Sequence, residues 1–165
     1  MEQGRMEEAK THLQGALAVH REVGNRRNEG VVLGNLGILH QEQGRMEEAK
    51  AHLQGALAVH REVGNRHFEG YLLGQLARVH ALQGDLQLAT ALLDRGETLA
   101  REVGAPDVII EILSVRAEVA WRGGDPDAAL TRDVLAGARS VETVGNAETA
   151  REIARVQALP DGAGS

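Results

Sequence analysis

The feature that most constrains this chain is an internal repeat at a fixed offset of 40 residues. Glu2 to Arg26 recurs as Glu42 to Arg66 with one change, Thr11 against Ala51. More worn copies follow at Gln83-Gly84-Asp85-Leu86 with Ala89, and at Gly123-Gly124-Asp125-Pro126 with Ala129. A period between about 20 and 50 residues is the mark of a stacked repeat array. One such unit cannot bury its apolar face alone. Neighbours therefore stack, and the core becomes a continuous seam between them.

The second copy shows the unit most completely. Gly24 and Gly64 are each followed by an asparagine, Asn25 and Asn65. Glycine just past a helix adopts the left-handed conformation that closes it, and asparagine caps the next one. Between these signals, 26–42 carries Val32, Leu33, Leu36, Ile38 and Leu39 at helical spacing. Gly44 breaks the run. A second stripe over 45–63 carries Met46, Ala49, Leu53, Ala56, Leu57 and Val63. Glu47 and Glu48 in its first turn, and His60 and Arg61 near its last, suit the helix dipole. The unit is thus two antiparallel helices, A and B. A glycine inside a helix costs about 1 kcal/mol against alanine. Gly37 therefore needs a reason, and close approach of helix A to helix B supplies one.

Extended along the chain, this unit predicts a lone helix B at 5–23, then pairs at 26–63, 66–103 and 106–144. A final helix at 147–159 ends before Pro160, and 161–165 is a frayed tail. The fold class expected is all-α: a single solenoid over 1–160 with three helix pairs, a half repeat at each end, and eight helices. The net charge of −6, with acids and bases interleaved, leaves no cationic face for nucleic acid. No cysteine is present for a disulfide or a thiolate metal site. No apolar run reaches membrane-spanning length. The opening MEQGRMEEAK has no apolar signal-peptide core, so the cytoplasm is the expected location.

Helix A with Leu36-Gly37, then Gly44, Ala49, Leu53 and Ala56-Leu57, resembles the tetratricopeptide repeat. The 40-residue period and the string Leu33-Gly34-Asn35-Leu36-Gly37 are similar to the subclass in kinesin light chains, Leu-Gly-Asn spindle-orientation adaptors and many bacterial regulators. The resemblance implies a right-handed solenoid whose A helices line a concave wall, and a function in binding protein or peptide partners. The large helix-B position, often aromatic in the family, is leucine here at Leu13, Leu53 and Leu93. The fourth copy diverges further, with Asp133 at that position and Arg116 in place of the leucine of the Leu-Gly pair.

Little in the chain points to catalysis, cofactor or metal. The histidine pairs His12/His52, His20/His60 and His40/His80 are single repeat positions, explained by duplication. Glu7-Glu8 and Glu47-Glu48 are adjacent on a helix and point to different faces. No glycine-rich phosphate loop or Ser/His/Asp arrangement is present. The chain is expected not to be an enzyme.

A binding site is expected on the wall of A helices. Its candidates are Val31, Gly34, Asn35, Ile38 and Gln41 in the second copy, and Tyr71, Gly74, Gln75, Arg78 and Ala81 in the third. Glu111, Ser114, Glu118, Trp121 and Arg122 follow in the fourth. Gly34, Gly74 and Ser114 are one position, small in all three copies, which leaves room for a ligand backbone. Asn35 and Gln75 follow with an amide donor and acceptor. In the subclass resembled, the matching asparagine binds a peptide main chain; Val115 breaks that pattern in the fourth copy. With Arg78 between Glu111 and Glu118, the basic groove of the family's carboxylate clamp is not expected.

A second expectation concerns the first helix. Met6, Ala9, Leu13, Ala16 and Leu17 form a face built to meet a helix A that this sequence does not contain. A longer parent array would cover it, as would self-association, with a closed homodimer favoured over a filament. The readings carried forward are a peptide-binding module, a self-assembling scaffold, and a regulatory region of a larger protein.

Overall fold

A computed structural model describes residues 2–124 of the 165-residue chain. It contains α1 (Glu2–Glu22), α2 (Arg26–Glu42), α3 (Met46–Glu62), α4 (Arg66–Leu82), α5 (Leu86–Val103) and α6 (Pro106–Arg122), with no strand among the described residues. Of the eight helices expected, these are the six within the described residues; those expected at 125–144 and 147–159 lie outside them, as does the tail. No described helix is long and apolar enough to cross a membrane.

Each helix end follows from local chemistry. Gly24, Gly44, Gly64, Gly84, Gly104 and Gly124 all have positive φ, between 65° and 86°. These are conformations that a Cβ disfavours. The side chains of Asn25, Asn65 and Asp85 accept hydrogen bonds from the backbone N–H three residues on, capping α2, α4 and α5. α6 instead opens with Pro106, whose missing N–H is no loss in a first turn. α1 starts earlier than the expected residue 5. Gly4 is helical, whereas its counterpart Gly44 turns the chain between two helices.

The pairs α2/α3 and α4/α5 are antiparallel hairpins joined by a small-against-large interlock. A Cβ on Gly37 would lie 2.6 Å from Leu53 Cγ and 3.2 Å from the Ala49 carbonyl oxygen. Leu53 and Ala49 are fully buried in consequence. In the next pair Ala77, Ala89 and Leu93 hold the same positions and are equally buried. Ion pairs at equivalent places tie the open ends of the hairpins, Arg26 to Glu62 and Arg66 to Glu102. Others link consecutive repeats, Arg21 to Glu29 at 3.0 Å and Arg61 to Glu69 at 2.7 Å. Burial alone would push the Glu29 carboxyl up; hydrogen bonds from Arg21 and Arg26 outweigh it and hold the group below the usual carboxylate range.

One joint between repeats is built on an imidazole. His60 of α3 is fully buried and stacks on Phe68 of α4, centroids 4.8 Å apart. Its Nε2 lies against Gly30 of α2, where a Cβ would come within 2.7 Å. Neither ring nitrogen completes a hydrogen bond. Burial, with Arg27 nearby, pushes this histidine below its ordinary pKa, so the ring serves here as a neutral wedge. His40 and His52 form a second stacked contact, across α2 and α3, at 4.9 Å.

The helices are not evenly spaced. α6 packs along α4 and α2 meets α4 more narrowly, whereas α1 with α3 and α3 with α5 make no comparable contact. Alternate helices that touch on one side and part on the other curve the stack. The A helices α2, α4 and α6 form its inner wall, and the B helices α1, α3 and α5 splay on the outside.

The interlock sets a clear expectation for two glycines. Gly37→Val drives two methyl groups into Leu53 and should lower stability by about 1–3 kcal/mol. Gly15, mid-helix in α1 with nothing within 4 Å of its Cβ position, should behave oppositely. Gly15→Ala should raise stability by about 0.5–1 kcal/mol. Urea denaturation followed by circular dichroism checks both signs.

Candidate functional site

The residues expected on the helix-A wall divide into two groups. The first is accessible. Asn35 is exposed on α2, and Val31 and Ile38, one turn to either side of it, are half-buried. Tyr71 on α4 is half-buried, with its ring edge-on to Phe68 at 6.4 Å. Gln41 is half-buried at the end of α2.

The second group is buried and forms a joint between α4 and α6. Gln75 Nε2 donates to Glu111 Oε1 at 2.8 Å. Arg78 Nη1 lies 2.9 Å from Glu111 Oε1, and Arg78 Nε donates to Glu118 Oε2 at 3.3 Å. Gln75, Arg78, Glu111 and Glu118 are only 3%, 7%, 8% and 9% exposed. Removing such charges from water is repaid only when they pair and hydrogen-bond, as these do. The amide of Gln75 is thus engaged within the fold, unlike that of Asn35.

The small positions do not open the wall to a ligand as expected. A Cβ on Gly34 would meet Leu72 Cδ2 at 3.3 Å, and one on Gly74 would meet Ile112 Cγ1 at 3.5 Å. Ser114 is 1% exposed. The room left by the missing side chains is taken up by the next helix A. Small residues at this position set the spacing of the wall. Ala81 is buried, and Trp121 is half-buried near the end of α6, its Nε1 without an acceptor among the described residues. Arg122 is exposed beside it.

The face of α1 is partly covered. Leu17 is buried against α2, and Leu13 and Ala16 pack at the edge of the same core. Met6 is half-buried and Ala9 is exposed. α3 has the same face, but α2 and α4 both cover it. Val19 is accordingly 55% exposed, where its counterpart Val59 is 5% exposed.

The two groups on the wall should respond differently to substitution. Arg78→Ala strips the cation from between two buried carboxylates and should destabilise by about 3–5 kcal/mol. Asn35→Ala, at an exposed position, should stay within about 0.5 kcal/mol of the parent. Thermal and urea unfolding of both variants measures the contrast.

Comparison with known proteins agrees with the repeat geometry. A tetratricopeptide repeat family model matches residues 1–62 and 29–102, and a second matches 111–132. No curated protein matches the chain. Repeats of this kind generally mediate protein–protein contacts and are typically non-catalytic. With paired helices interlocked through Gly37 and Leu53, and family matches spanning most of residues 1–132, the chain belongs to the tetratricopeptide repeat family.

Proposed function

We propose that this chain is a non-catalytic interaction module that takes up a peptide segment on its helix-A wall, in a cytoplasmic setting. The observation that carries the reading is the exposed Asn35 amide, set between half-buried Val31 and Ile38, with Tyr71 half-buried on the next helix A. Such an amide offers a donor and an acceptor to a peptide main chain. Its apolar neighbours offer contact area, and a tyrosine is a favoured anchor. Gln75, Arg78, Glu111, Ser114 and Glu118 then hold the wall in shape from within, and Trp121 marks its far end.

Peptides selected from a random display library on the full chain provide the test. Asn35→Ala should weaken the selected peptides about three- to tenfold, the worth of one hydrogen bond or two. Peptides that bind Asn35→Ala and Tyr71→Ala as well as they bind the parent would remove this site.

A second reading, self-association through α1, is favoured by the contrast between Val19 and Val59. The face formed by Met6, Ala9, Leu13 and Ala16 would accept a helix from a second copy. Light scattering over a dilution series should then show mass rising with concentration, and Leu13→Glu should abolish the rise. A constant monomer mass, or an oligomer untouched by Leu13→Glu, would exclude α1 as the contact.

A further inference from the structure

The splay of the outer helices leaves an open groove between α3 and α5, floored by α4. It has a volume of about 310 Å³. Leu73 and Leu76 line its floor, Leu57 its α3 side, and Leu88 and Leu92 its α5 side. Leu88 is 40% exposed, one of five exposed large apolar side chains among the described residues.

The internal repeat shows what sets this groove apart. Shifted back by one period, seven of its ten lining positions carry the same residue in the earlier copy, from Gln14 to His40. Three differ, all on the second B helix. Glu48 becomes Leu88, His52 becomes Leu92, and Gly55 becomes Arg95. In the earlier copy His52 stacks on His40. In the later one the acid is gone, two leucines stand in the groove, and an arginine is added.

The charge is directional. A Cβ on Gly96 would lie 3.3 Å from Leu73 Cβ, so the neighbouring Arg95 sits at the Leu73 end of the groove. Arg61 lies at the same end, paired with Glu69 one turn before Leu73. Arg95 itself has no carboxylate partner among the described residues, and the adjacent Asp94, which points to a different face, is paired with Arg116. A protein of net charge −6 thus presents an apolar trough with, at one end, a guanidinium that no carboxylate among the described residues neutralises.

We propose that this groove docks an amphipathic peptide segment, with apolar side chains along Leu88 and Leu92 and a carboxylate on Arg95. A helix running antiparallel to α3 and α5 fits best. Its N-terminal turn then lies at the arginine end, where acidic side chains also suit its own dipole. The surface is on the opposite side of the stack from the helix-A wall and shares no residue with the site proposed there.

The test uses the full chain and two labelled synthetic peptides. Both carry leucines one helical turn apart; one has glutamates in its first turn and its twin has lysines. Fluorescence anisotropy should show binding of the acidic peptide and not of the twin. Arg95→Glu should weaken it by at least about tenfold, and Leu88→Glu should also weaken it. Both positions are exposed, and circular dichroism confirms that the variants fold. Asn35→Ala should leave the affinity unchanged, which separates this groove from the inner wall. Failure of the acidic peptide to bind, equal binding of the lysine twin, or unchanged affinity in Arg95→Glu would overturn the proposal.

Discussion

The close approach of helix A to helix B is the constraint on which the rest of the structure depends. Without a side chain at Gly37, Leu53 of α3 reaches the backbone of α2 and is sealed from water. Everything else in the repeat takes its place from that contact. It puts α2 and α3 in a fixed register, which brings Arg26 to Glu62 at the open end and His40 onto His52 near the turn. The penalty of a helical glycine is about 1 kcal/mol. Full burial of a leucine is worth roughly 1.5–3 kcal/mol, so the exchange favours the interlock. Where alanine replaces glycine, at Ala77, the same leucine position is still fully buried. The requirement is for a small residue, and glycine is the tighter solution.

Much of the fold was legible because repeat and helix-end chemistry are both local. Every glycine read as a helix stop within the described residues has a positive φ. The joint between α4 and α6 was less legible. Arg78 and Glu118 occupy one repeat position in successive copies, and Gln75 and Glu111 are 36 residues apart. Taken helix by helix, these look like groove-facing polar groups. Only stacking places them side by side and excludes water. The signal was available as opposite charges at one position of adjacent copies, but periodicity within a helix does not reveal it. The same limit applies to Gly34 and Gly74, whose missing side chains accommodate the next helix A. From the sequence, His60 is one of a duplicated pair near a helix end. Its role as a wedge depends on Gly30 and Phe68, which sit on two other helices.

The inner wall therefore changes character along its length. Around Asn35 it presents an exposed amide and half-buried apolar groups. Around Arg78 it is a dry, paired cluster. The copies differ at these very positions: Ile38, Arg78 and Glu118 share one repeat position, and Asn35, Gln75 and Val115 share another. Pairing between the third and fourth copies stiffens that junction. Between the second and third copies the position that pairs with Arg78 is Ile38, which carries no charge, and α2 meets α4 more narrowly. The part of the wall with the fewest internal polar bonds is the part left to contact something else.

Curvature links the two faces. Packing the A helices together on one side requires the B helices to part on the other, so a tighter inner wall implies deeper outer grooves. The copies show what each face does with that geometry. Ala49 and Ala89, or Leu53 and Leu93, are unchanged because the interlock allows only small against large. Glu48 to Leu88 and Gly55 to Arg95 lie outside the interlock, where packing imposes no such choice. An exposed leucine beside an arginine with no carboxylate partner among the described residues contributes little to the stability of the stack. The groove between α3 and α5 combines apolar surface with a positive charge, at Leu88, Leu92 and Arg95, where the earlier copy has Glu48, His52 and Gly55. That pairing is what recognition of an amphipathic acidic segment requires, and the packing of the stack does not otherwise explain it.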